Sequence, residues 1–233
     1  MAGTHPETID WTDFWTDASD DDRESASPSA AVLTDVLSDF FAERGVPGTF
    51  ADVGCGAGVT SFFVAENYDT EVTGYDAAEP VLAENRERAR EDGVENVSFE
   101  RGVLPDWNPG VEFDVVVCYA TMCYVADSEG ALRALYDAVA PGGVLILGYT
   151  NRFAKAHYEN VVANPPDPDE AGRDIDPDRF AERFSLVLSD ESTLSYRQIH
   201  DALDTWPRSL WEVVEKPDQR WMWRNHPVVW VPK

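Results

Sequence analysis

The stretch Phe50-Ala51-Asp52-Val53-Gly54-Cys55-Gly56-Ala57-Gly58 constrains this chain more than any other. A short apolar segment runs into three glycines at alternate positions, and an apolar segment of helical length, Val59 to Glu66, follows them. Glycine enters positive φ without a steric penalty, so the pattern reads as a buried strand that turns tightly into a helix. Glu71-Val72-Thr73-Gly74-Tyr75-Asp76 then reads as a second strand that ends in an acid, 18 residues after Gly58.

The same rhythm continues downstream. Strands are predicted at about 49–53, 71–75, 97–100, 113–119 and 144–149. Between and before them lie helices over Ala30–Arg44, closed by Gly45; over Val59–Glu66; and over Glu79–Asp92, with Pro80 in its first turn and Gly93 at its stop. A further helix is predicted from a cap at Asp127 or Ser128 through Ala140, with Pro141-Gly142-Gly143 as the turn into the next strand. Phe113 to Tyr119 is apolar apart from Asp114, typical of a strand buried on both faces. Strands that alternate with helices in this way imply an α/β fold: a parallel sheet with helices on both faces, joined by right-handed crossovers.

After Thr150 the rhythm breaks. Asn164 to Pro177 reads as loop, Asp178 to Arg183 as a short helix, and Ser195 to Trp206 as a helix with Ile199, Ala202, Leu203 and Trp206 in register. Leu210–Val214 and Val228–Val231 read as a closing antiparallel hairpin. The expected organisation is an N-terminal segment 1–29, partly disordered or a lid; a core over 30–150; a helical insertion over 151–206; and a hairpin over 207–233 that completes the same sheet.

Composition narrows the partners. Acids number 44 against 18 bases, a net charge of -26. Such a surface repels phosphate backbones, so nucleic acid is not an expected partner. The acids are spread along the chain, which fits a protein adapted to a salty cytosol better than one carrying a single acidic docking patch. No apolar run is long enough for a membrane helix, and Met1–Asp10 lacks a basic stretch and an apolar core, so a secretory signal is not expected. Three cysteines, Cys55, Cys118 and Cys123, make no disulfide framework, so a reducing cytoplasm is expected.

In open parallel sheets, ligands bind beyond the carboxyl ends of the strands. Asp52, Gly54, Gly56 and Gly58 fall at one such end and Asp76 at the next, where a carboxylate can accept hydrogen bonds from both hydroxyls of a ribose. The set implies a nucleoside-containing cofactor. A dinucleotide site shows G-x-G-x-x-G; the spacing here is G-x-G-x-G, with Asp52 two residues before the first glycine. A carboxylate at that point disfavours a diphosphate and suits an ammonium group.

On these residues, with Phe113-Asp114-Val115-Val116-Val117-Cys118 and Pro141-Gly142-Gly143-Val144-Leu145, the chain resembles the class I S-adenosylmethionine-dependent methyltransferases over about residues 30–150. Residues 209–231 match that family's last two strands more loosely. The resemblance implies a Rossmann-like sheet of seven strands, mostly parallel, in the order 3-2-1-4-5-7-6, with strand seven antiparallel. It implies S-adenosyl-L-methionine as cofactor. By the same resemblance, Gly54, Gly56 and Gly58 pack against the methionine part and the ribose; Cys55, a candidate contact in the same turn, reads as a small apolar residue and not as a reactive thiol. Asp52 places the amino group and Asp76 binds the ribose, while Cys118 and Tyr119 line the floor near the methyl group. Many relatives carry an acid after strand three to receive the adenine amino group. Here Val103 stands there, which leaves the backbone of Val103 and Leu104, or Asp106, to read the adenine.

The implied activity is methyl transfer to oxygen, nitrogen or carbon of a small-molecule acceptor. A base is needed only when the acceptor must lose a proton, and no catalytic base is identified. Tyr119, Tyr124 and His157 lie just past strands four and five, Tyr119 as a pocket wall and His157 as a loop histidine or a base. His200 reads as structural. The cysteines lack partners at metal-ligand spacing, so no metal is expected. Asn164-Pro165-Pro166 follows strand five and reads as loop. Trp206, Trp211, Trp221, Trp223 and Trp230 read as core packing or as an aromatic wall over the acceptor; Trp11, Phe14 and Trp15 read as a lid over the cofactor. Two alternatives stay open: a nicotinamide-dependent oxidoreductase, which needs the third glycine one residue later, and a binding protein that keeps the fold without turnover.

Overall fold

The computed structural model describes residues 9–17, 19, 23, 26, 30–167, 175–215 and 222–233. Seven strands form one sheet in the order β3-β2-β1-β4-β5-β7-β6. They are β1 (Thr49–Val53), β2 (Glu71–Asp76), β3 (Val97–Arg101), β4 (Phe113–Cys118), β5 (Val139–Gly148), β6 (Arg208–Ser209) and β7 (Val228–Pro232). The first five pair in parallel, whereas β7 runs antiparallel to both β5 and β6, as expected.

The apolar run of β4 divides between two cores because successive side chains point to opposite faces. Val115 and Val117 pack with Phe40, Phe41, Ile146 and Trp230 on one side. Val116 and Cys118 pack with Leu132, Leu135, Leu145 and Ile199 on the other. The first core is covered by α2 (Ala30–Arg44), with α3 (Val59–Asn67) beside it; the second by α5 (Ser128–Asp137). Between them in sequence, α4 (Glu79–Asp92) starts with Pro80 in its first turn and stops at Gly93, whose φ is 69°. At the N-terminal side, α1 (Trp11–Asp17) packs on α4. Asp127 caps α5 by accepting the Gly130 N–H at 2.8 Å.

Three boundaries differ from expectation. The helix α5 stops at Asp137, not Ala140, because Val139 is already paired with Phe113 in the sheet. Pro141-Gly142-Gly143 lies inside β5, not before it. The register shifts there, from Phe113↔Val139 to Val115↔Val144, and the irregular stretch is held by Gly142 N–H to the Lys233 carbonyl and Lys233 N–H to the Gly143 carbonyl, both 3.0 Å. At the other edge, Leu210–Glu212 is a 3₁₀ turn; the strand is the shorter Arg208–Ser209.

Beyond β5 come α6 (Arg152–Ala163), α7 (Pro177–Arg183), α8 (Ser185–Leu188) and α9 (Tyr196–Leu203), with α6 against α7 and α8, and α9 against α5. Asn151, Asp176 and Ser195 supply the N-terminal caps of α6, α7 and α9. Asp204, at φ 53°, ends α9, so Trp206 leaves the helical register; it is 58% exposed and stacks on His200 at 4.1 Å. Trp211 and Trp230 are buried. Trp221, the Trp223 side chain, most of the 17–28 stretch and residues 168–174 of the expected loop lie outside the described residues. Among the described residues no helix is long and apolar enough to cross a membrane.

Candidate cofactor site

The tips of β1 and β2 finish side by side. Gly54 N–H and Cys55 N–H both donate to the Tyr75 carbonyl, at 2.7 and 2.9 Å. The turn that follows has Gly54 at φ 80°, Gly56 at 50° and Gly58 at 71°, and Gly58 stands at the N-terminal end of α3. At Gly54 a side chain is excluded twice over: the backbone is left-handed, and a Cβ there would lie 2.0 Å from Thr121 Oγ1. Thr121, in the loop after β4, therefore sits directly on the glycine turn.

Asp76 ties the turn to β2. Its Oδ2 accepts the Gly56 N–H at 2.9 Å and its Oδ1 the Ala78 N–H at 3.0 Å. The Ala77 N–H also favours the ionised form, and a carboxylate with about four lone-pair positions still keeps acceptor capacity for a ligand. Burial raises the Asp76 pKa above the usual carboxylate range, against those backbone donors. Gly102 N–H donates to the Asp76 carbonyl at 2.9 Å, which brings the loop after β3 to the same rim. Under that loop, Trp107 packs edge-on against Tyr75 at 5.1 Å.

Asp52 lies beneath the turn at 4% exposure and accepts the Ser61 hydroxyl at 2.7 Å. Its pKa is pushed up to about 6, first by burial and then by the nearby charge of Asp76, with the Ser61 hydrogen bond opposing. Among the described residues no cation pairs with it. A buried acid left without a counter-charge at the edge of a turn suits a cationic ligand group, and the remaining acceptor capacity of Asp76 suits a ribose hydroxyl.

The structure thus brings Asp52, Gly54, Cys55, Gly56, Gly58 and Asp76 together. Cys55 packs among Phe62, Leu82 and Phe99, its thiol pKa raised by burial. Val103 stays half-buried on the rim, but the Leu104 side chain turns into the core, leaving only its backbone to face a ligand. Asp106 is exposed. Cys118 corrects the expectation: it has no exposed surface and packs in the core, so it supports the floor from below and does not line it. Tyr119 is half-buried at the end of β4.

Residues 50–143 match the family described as a methyltransferase domain. That segment contains the glycine turn, Asp52, Asp76 and the β4 tip. Residues 50–143 of this chain form a methyltransferase domain.

Sequence relatives extend somewhat beyond the methyltransferase domain. The ubiquinone biosynthesis O-methyltransferase of Idiomarina loihiensis is 34% identical over 129 residues, 53% of this chain and 52% of that protein. The enzyme of the same name from Pseudomonas fluorescens is 34% identical over 146 residues, 60% of this chain and 62% of that protein. The chain spans about half to three-fifths of the length of these curated relatives. In fold alone, it is similar to the plantazolicin methyltransferase BpumL in complex with SAH (TM-score 0.63, 10% identity, 95% of this chain and 93% of that one). It is also similar to an S-adenosylmethionine-dependent methyltransferase from Clostridium acetobutylicum (TM-score 0.61, 13% identity, 85% and 89%).

Several residues that build the methyltransferase domain's rim were not read from sequence. Asn85 donates to the Gly56 carbonyl at 2.8 Å from the buried face of α4. Its position among Val81, Leu82 and Ala89, a polar residue at core spacing, was a legible signal. Ser61, in the first turn of α3, is a second. Beyond β5, His157 is exposed, whereas His226 meets the Tyr158 hydroxyl at 3.3 Å near the carboxyl end of β5. Burial and His157 pull the His226 pKa down to about 4, so its imidazole is neutral at ordinary pH. His200, bonded to Asp201 and stacked on Trp206, stands in α9, which packs on α5.

Proposed function

We propose that this protein is an S-adenosyl-L-methionine-dependent methyltransferase acting on a small-molecule acceptor, with oxygen as the favoured methylated atom. The observation that carries the reading is the joint made by Gly56 N–H and the Asp76 carboxylate beside the buried, uncompensated Asp52. That joint presents a diol acceptor and an ammonium acceptor on one rim. When bound, the cofactor supplies an electrophilic methyl group on a sulfonium. The chain's own residues bind and orient. Asp76 holds the ribose hydroxyls, Asp52 and the turn Gly54, Cys55, Gly56 and Gly58 hold the amino-acid end, and the backbone of Val103 and Leu104 lies on the adenine side. Tyr119 and Thr121 at the β4 tip close the floor. Orientation and exclusion of water supply most of the catalysis that such a transfer needs. No base is assigned.

Support for an oxygen acceptor is the name shared by the matched relatives, ubiquinone biosynthesis O-methyltransferase. Support for a small acceptor and against nucleic acid or a membrane surface is the net charge of -26. The three described cysteines are free and buried, which suits a reducing cytoplasm. The test is incubation of the purified protein with S-adenosylmethionine labelled in the methyl group and a pool of small metabolites. Label in a small product and release of S-adenosylhomocysteine support the reading. Cofactor binding without either product favours a binding protein of the same fold.

A further inference from the structure

The N-terminal helix α1 lies across the rim just described. Trp15, 3% exposed, is buried against Ala78 and Val81, and Ala57 of the glycine turn packs on the same cluster. Ala78 is the residue whose N–H the Asp76 carboxylate accepts. From there α1 reaches the other side of the cleft: Trp11 packs edge-on against Tyr124, in the loop after β4, at 4.7 Å. One end of this short helix thus rests on the tips of β1 and β2 and the other on the loop past β4.

The far end is gripped by one cation. Arg183, the last residue of α7, lies over the rings of Trp11 and Phe14, both 5.5 Å away, and over Tyr124 at 5.8 Å and Phe184 at 5.4 Å. Its Nε donates to the Tyr124 hydroxyl at 3.0 Å. The arrangement is held on the near side by Arg23, which pairs with both carboxylate oxygens of Glu84 on α4, at 2.6 and 3.0 Å. Guanidinium groups stacked on aromatic faces are attracted by the ring quadrupoles, more strongly when partly shielded from water.

We propose that Arg183 is a positioning residue that clasps α1 over the donor side of the cleft, so that retention of the methyl donor depends on the helices beyond β5. This rests on the methyltransferase reading. It makes α1 a cover fastened to the insertion that would contact the acceptor, and it requires the clasp to open before donor enters or spent donor leaves. Arg183 acts through Trp11, Phe14 and Tyr124 and not on the reacting atoms.

The test is binding of S-adenosylhomocysteine to the full chain, by calorimetry and by stopped-flow tryptophan fluorescence. Arg183→Gln is expected to weaken binding by about tenfold, mostly through faster release. Arg183→Lys, which keeps the cation, is expected to recover part of the loss, and Trp11→Leu to match Arg183→Gln. The double variant should lose less than the two single losses combined, because both remove one contact. A merely structural arginine would lower the melting temperature and leave the release rate unchanged, which overturns the proposal. Trp11→Leu alters the other partner of the same contact, so should Arg183→Gln not fold, unchanged release in Trp11→Leu overturns it equally. Failure of the unaltered chain to bind S-adenosylhomocysteine overturns the methyltransferase reading and the clasp together; tight binding that none of these variants changes overturns the clasp alone.

Discussion

Gly54 and Thr121 touch across the cleft: a Cβ placed on Gly54 would lie 2.0 Å from the Thr121 hydroxyl oxygen. The turn after β1 and the loop after β4 are therefore packed to the limit that glycine allows, and the ligand rim is set by their contact. Gly54→Ala should destabilise the fold by about 3 kcal/mol, combining a left-handed alanine with an overpacked contact. Trimming the partner in Gly54→Ala/Thr121→Gly should recover part of that loss, since the backbone term remains. Thermal denaturation of the three proteins checks this; equal stability of Gly54→Ala and the unaltered chain would contradict the packing.

Asp52 is expected to make donor affinity pH-dependent. Its pKa is pushed up to about 6 by burial. Below that pH it is protonated and cannot face an ammonium group, so affinity for S-adenosylhomocysteine should fall as pH drops through 6. In Asp52→Asn the affinity should be about tenfold weaker at pH 7.5 and nearly flat with pH. A pH dependence that survives in Asp52→Asn would assign the effect to another group.

His226 is expected to limit stability in acid. Its folded pKa of about 4 lies below its ordinary value of 6.5, because of burial and the neighbouring His157. The unfolded chain then binds the proton more readily, so stability is complete above pH 6.5 and is lost as pH falls towards 4. His226→Gln removes this one contribution. The difference in unfolding free energy between the two proteins should change by about 2 kcal/mol between pH 7 and pH 4.5. A constant difference over that range would show that His226 is not held neutral.

Salt should stabilise the fold. With 44 acids against 18 bases, self-repulsion is strong in dilute buffer and screened in molar salt. The melting temperature should rise by about 5 °C or more between low and molar potassium chloride. No change would mean that the acidic surface is not an adaptation to salt.

Much of this fold was legible because local signals agreed with the tertiary outcome. The β4 run Phe113–Cys118, the Pro80 and Gly93 ends of α4 and the Asp127 cap of α5 each stand where their chemistry puts them. Where the structure departs from expectation, pairing between distant residues is one cause. Pro141-Gly142-Gly143 reads as a turn until Lys233 pairs its backbone into β5. Trp206 fits the spacing of α9, but Asp204 turns left-handed and ends the helix first. In the site, the glycine turn and Asp76 were visible as a strand–turn–helix–strand pattern. The resemblance implies Cys118 on the floor, but its side chain has no exposed surface and belongs to the core. The Tyr158–His226 and Arg183–Trp11 contacts join segments far apart in the chain, and nothing local announces them.

The central claim is that β1 and β2 end together and grip an adenosyl ligand through Asp76. Calorimetric titration of S-adenosylhomocysteine into the unaltered chain and into Asp76→Ala, with NADH as a control ligand, tests it most directly. The expected result is saturable binding of S-adenosylhomocysteine, none of NADH, and at least about a thirtyfold loss in a folded Asp76→Ala, from two charge-assisted hydrogen bonds. An Asp76→Ala protein that binds S-adenosylhomocysteine as tightly as the unaltered chain would contradict it.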